Sequence, residues 1–151
     1  MGLERKARPL GGGRDPAHEY LIDQANLRGY RGAYSNRSDL GTEDPKLSLE
    51  EIVVGLLQPA APAEPRVLKL VVRILQSGRL DLRRLHLLSR RERALANLAW
   101  LLEQVPPEER TAPIGELAVL LENQPPRESR RPTLRYDPSR LLRRKGQIQR
   151  P

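Results

Sequence analysis

A chain of 151 residues with 38% apolar content is long enough for one domain with a real core, and too short for two once its Pro- and Gly-rich ends are set aside. The absence of cysteine excludes a disulfide framework, a thiolate metal site and a thiol nucleophile. The formal charge of +8 is uneven: residues 1–44 are neutral, 45–124 carry +1 and 125–151 carry +7, so the excess sits on a tail behind an almost neutral body and points to an anionic partner.

Residues 1–14 hold mixed charge and the triplet Gly11-Gly12-Gly13 without apolar periodicity, and read as a flexible arm. The triplet has neither the Lys-Ser/Thr of a P-loop nor the spacing of a dinucleotide fingerprint. Met1–Arg14 also lacks the apolar centre of a secretion signal, and no run reaches the roughly 18 apolar residues of a membrane span, so a cytoplasmic protein is expected. Aromatic content is 3% with no Phe, which leaves a core of Leu, Val, Ile and Ala, as in helical bundles.

Asp15-Pro16 opens a helix that ends before Gly29, with Ala17, Tyr20, Leu21 and Ala25 as its apolar face. His18, Glu19 and Asp23 read as a solvated polar face: a zinc-protease helix would need a second His where Ile22 stands. From Arg28 to Arg37 the chain interleaves Arg28, Tyr30, Arg31, Tyr34 and Arg37 with glycines, a composition that stacks bases and meets phosphates, or else a loop pinned to the body by its tyrosines. Together 15–44 form a helix plus loop docking on the main body. Asn36-Arg37-Ser38 matches a glycosylation sequon without a secretion signal and is taken as chance.

The helical domain occupies 45–124. Ser48 with Glu51 writes a capping box, and Leu47 with Ile52 a hydrophobic staple, so a helix starts at 48 with Leu49, Ile52, Val53, Leu56 and Leu57 on one face until Pro59. A spacer over 59–64 returns the chain into a helix over 65–77, with Pro65 in its first turn and Gly78 after its last. Asp81 caps Leu82–Leu88. Ser89 with Glu92 writes a second capping box, marking a kink or a new helix whose buried face holds Ala94, Leu95, Leu98, Leu102 and Val105 until Pro106-Pro107. A last helix begins near Thr111–Pro113 with Ile114, Leu117, Ala118 and Leu121 inward. The acid-Pro pairs at 15, 44, 64 and 137 share no period and are helix-start or turn grammar.

The expected fold is therefore all-α: a small orthogonal or bundle-like helical domain with a flexible N-terminal arm and a basic, Pro-rich C-terminal tail over 125–151. Catalytic groups are scarce, the carboxylates mostly occupy helix starts, and His86 reads as a surface or boundary residue, so a non-catalytic protein without a cofactor or metal is expected. The favoured function is a binding or regulatory protein whose tail engages a protein partner through Arg135, Tyr136, Arg140, Leu141, Leu142, Arg143, Arg144 and Lys145. An antitoxin-like subunit, or another subunit of a complex, would share that layout. The alternative is a DNA- or RNA-binding protein using the tail, the Arg-Tyr loop and a helix-turn-helix-like cluster of Arg79, Arg83, Arg84, Arg90, Arg91 and Arg93. Against it, a second helix starting at Ser89 offers no Asn or Gln before Asn97 to read a base edge.

Overall fold

A computed structural model describes residues 16–34, 41–59 and 64–126. The expected arm at 1–14, the sequon and residues 127–151 of the expected tail lie outside them. Among the described residues there are six α-helices and no strand: α1 (Pro16–Leu27), α2 (Leu49–Leu56), α3 (Pro65–Gln76), α4 (Leu82–Arg91), α5 (Leu95–Gln104) and α6 (Ala112–Asn123), with a single 3₁₀ turn at Pro107–Glu109. None of these helices is long and apolar enough to cross a membrane.

The apolar stripes read in the sequence converge on one cluster. α3 buries Val67, Leu68, Leu70, Val71, Val72, Ile74 and Leu75, leaving a narrow polar strip. It packs on α2 and α6, while α4 packs on α2, α5 and α6, and α1 covers α2 from outside. Local grammar fixes the ends of these elements. Ser48 Oγ accepts from Glu51 N while Glu51 Oε1 accepts from Ser48 N, so both halves of the capping box form. Pro65 occupies the first turn of α3, and Gly78 follows its end at a φ of +78° that a side chain rarely adopts. Asp81 Oδ1 accepts from Arg84 N to cap α4, and Asp81 N donates to Glu50 Oε2, tying that start to α2.

The second capping box does not form. Ser89 lies inside α4, fully buried one turn beyond Leu85, and the helix runs on to Arg91. The break comes later: Ala94 N donates to Ser89 O and Arg93 N to Arg90 O, with Arg93 at φ +63°, a Schellman closure that turns the chain into α5. Ser and Glu three residues apart are also neighbours on one face of a continuous helix, so the same letters fit both conformations.

The face of α1 is also rotated from its expected setting. Ala17 and Tyr20 are exposed, and the buried side holds Ile22 and Ala25 together with His18, Asp23, Gln24 and Asn26. Irregular backbone packed beside the helix explains this, because its amides and carbonyls need partners that no ladder supplies. Asn26 Nδ2 donates to Tyr30 O and Ala33 O, Gln24 Nε2 to Thr42 O, and Gln24 Oε1 accepts from Asp44 N. The polar side of α1 is a template for two loops, not a solvated surface.

Candidate binding groove

The outer surface of α4 carries the most distinctive chemistry. Arg84, Leu87, Leu88 and Arg91 repeat at i, i+3, i+4 and i+7 and form one stripe. They wall an open groove of about 730 Å³ with Arg90, with Arg93 from the turn, with Leu95 and Ala96 from the first turn of α5, and with Pro126. Leu87, Leu88, Leu95, Ala96 and Pro126 give it aliphatic surface, and four arginines share its lining. Leu87 is 60% exposed there, although Leu85 on the opposite side of the same helix is fully buried.

Among the described residues, little neutralises those arginines. Arg91 pairs with Glu92 at 3.4 Å, but both side chains are largely in solvent, where such a pair contributes little. Arg84 stands 3.9 Å from the buried Glu50 carboxylate. Arg90 donates one 3.3 Å bond to Gln124 Oε1, and its Nε has no acceptor. Among the described residues the Arg93 guanidinium has no hydrogen bond or ion pair.

Gln124 matters for a second reason. His86, expected at the surface, is 4% exposed, and its Nε2 donates to Gln124 O at 2.9 Å. That bond and the one from Arg90 hold the exit of α6 against α4 and bring Pro126 to the groove wall. The chain continues from there into residues 127–151, whose nine basic and two acidic residues include every tail position expected to bind a partner: Arg135, Tyr136, Arg140, Leu141, Leu142, Arg143, Arg144 and Lys145. Those positions lie outside the described residues, but the point where the segment starts is fixed beside the arginine groove.

The Arg-Tyr loop is committed elsewhere. Arg28 donates to Gln24 O and Gln24 Oε1 and, from its other Nη, to Asp44 O and Leu47 O, so its guanidinium staples the loop segment before α2 to α1. Tyr30 is buried beneath Arg79, whose guanidinium lies 5.4 Å from the ring centre, and Arg73 holds Arg31 O at 2.8 Å. Neither Tyr30 nor Arg28 is available to a base or a phosphate. Tyr34 remains 56% exposed, and Arg37 lies outside the described residues. The buried tyrosine that anchors this loop is Tyr30.

Within the arginine cluster, Arg83 is exposed on α4 but lines a different depression, with Leu82, Pro113 and Val119. The helix after the turn, α5, carries no basic residue and buries Leu95, Asn97, Leu98, Leu101 and Leu102; Asn97 Nδ2 donates to Leu57 O at the end of α2. The helix after the turn thus offers no basic side chain, and the arginines of the cluster other than Arg79 belong to α4 and the turn itself. No group of three His, Asp or Glu side chains able to hold a metal occurs among the described residues.

The residues that sequence reasoning passed over here are Leu87, Leu88, Leu95, Ala96 and Pro126. Leu87 was legible, because two positions from Leu85 is about 200° around a helix. Fold and groove together define a small helical protein with a groove lined by arginine and aliphatic side chains and a basic segment starting at its edge. No family profile, curated protein or solved structure matches the chain.

Proposed function

We propose that this is a non-catalytic binding protein, regulatory or a subunit of a complex, that engages an acidic protein partner through residues 127–151 and the groove beside which they begin. The observation that carries the reading is the position of Pro126 in the groove wall, which joins four arginines to the segment holding nearly all of the net charge. The chemistry of the lining agrees: guanidinium groups stay protonated at any ordinary pH, and leucine, alanine and proline offer no nucleophile or base, so the groove recognises and does not transform.

A nucleic-acid partner is the weaker reading. Its aromatic and cationic loop is taken up by internal contacts at Arg28 and Tyr30, and the groove walls hold no ring on which a base would stack. Crosslinking and mass spectrometry on the natively purified full chain test the proposal. Links from Lys145 or other residues of 127–151 to one acidic protein are expected. Nucleic acid retained through purification, with no protein linked, would overturn it.

A further inference from the structure

The groove itself constrains what the partner presents. We infer that it is a helix-docking site whose occupant is an acidic amphipathic helix of the partner protein, with leucine-type side chains on one face and carboxylates flanking them. This rests on the functional reading above and adds a shape and a side-chain pattern to it.

The stripe from Arg84 to Arg91 is about 10 Å long at 1.5 Å per residue, and its apolar pair, Leu87 and Leu88, lies between cationic ends. A helix laid along it meets aliphatic surface in the middle and guanidinium groups at both ends, and the groove volume lies in the usual range of a preformed binding site. Leu87 is the one apolar residue that α4 turns fully outward. A surface built only to attract phosphates gains nothing from a leucine at its centre.

Arg93 supplies a separate observation. It closes the Schellman turn at φ +63°, where glycine is the unstrained residue, and its charge stands in the groove lining without a counter-ion among the described residues. A strained cation held in such a lining is the arrangement expected where a carboxylate arrives.

Other occupants fit less well. Residues 127–151 of the same chain carry nine basic residues and would bring like charge to like charge. A second copy would offer α6, where exposed Glu116 and Glu122 flank the 54% exposed Val119. Two carboxylates there face four guanidinium groups, and each copy adds a net +8.

The test uses the full chain and a synthetic helix of about 16 residues, long enough to hold some helicity alone, with leucines at i, i+3, i+4 and i+7, glutamates flanking them and alanine or glutamine elsewhere. Fluorescence anisotropy should show saturable binding, weakened about tenfold or more by Leu87→Asp and by Arg90→Glu with Arg93→Glu. Thermal melts of the same variants report whether the fold is intact, and Leu87→Ser provides a milder change at the same point. Equal binding of a peptide with serine in place of leucine, or binding indifferent to Leu87→Asp, would overturn the inference. If such binding also vanished on deletion of 127–151, the partner reading would stand and the groove would not be its site. A dimer that Leu87→Asp dissolves, or an oligonucleotide that displaces the peptide regardless of Leu87, would assign the groove to a second copy or to nucleic acid and equally overturn it.

Discussion

Arg93 holds a backbone conformation that glycine would hold at less cost. The left-handed region is disfavoured for a side chain by roughly 1–2 kcal/mol, so Arg93→Gly should raise stability by about 1 kcal/mol after the extra freedom of glycine in the unfolded chain is subtracted. A thermal melt of the variant checks this, with a rise of roughly 2–4 °C expected for a domain of this size. If the same variant also loses affinity for the acidic helix, the strained arginine is retained for binding at the expense of stability. At the start of α2, the Glu51 carboxyl is held below its ordinary value, first by the hydrogen bond it accepts from Ser48 N and further by the Ser48 hydroxyl and by Arg84 and Arg91, against a smaller opposing effect of burial. A depressed carboxylate stabilises fully above its unfolded pKa, about 4.3, and that contribution disappears as pH falls through the lower folded value. The melting temperature of the wild type should therefore fall more steeply than that of Glu51→Gln below about pH 4.3.

The helices differ in how completely their own letters determine them. α3 was legible in full because its seven buried residues, its opening proline and its closing glycine all agree. Leu70 and Leu98, at the centres of the α3 and α5 faces, are both fully buried, and Leu70→Ala or Leu98→Ala should cost roughly 2–5 kcal/mol in denaturant melts. Asn97→Ala should cost less, about 1–3 kcal/mol, by leaving Leu57 O buried without its donor. α1 was legible in extent but not in orientation. Its burial is decided by the loops that lean on it, and the demand of their backbone for Gln24, Asn26 and Arg28 arises only once the chain is folded. His86 and Ser89 misled for a related reason: residues of these types are mostly exposed or capping, yet the inner face of α4 meets the exit of α6 and takes both inside. Of the groove, the arginines and the outward setting of Leu87 follow from the helical net of α4. The wall contributed by Pro126 depends on the docking of α6 and has no local signal.

Across the whole molecule, charge and exposed apolar surface meet at α4. The body is nearly neutral across 45–124, but four of its nine arginines lie on α4, and the segment carrying +7 begins at the edge of that cluster. On the proposed reading, long-range attraction and short-range fit are separated in the chain: the segment after Pro126 would draw in an anionic partner, and the groove would select among such partners by its leucines. The two contributions differ in their response to salt. Binding of an oligonucleotide would rest on released counter-ions, so deleting 127–151 should reduce the magnitude of its logarithmic salt slope by about 4.5 if about five basic groups meet phosphates of duplex DNA. Binding of an acidic, leucine-bearing helix should lose only the segment's share of its salt sensitivity in the same truncation, and keep the apolar contact and the contribution of the four groove arginines, because the groove remains. Leu87→Asp in the truncated chain should then remove the apolar part, and Leu141→Asp with Leu142→Asp in the full chain shows whether the leucines of the segment add a second apolar anchor. A truncated protein that binds the helix with an unchanged slope would place the attraction entirely in the four arginines of the groove, whereas complete loss of binding on truncation would place it entirely beyond Pro126.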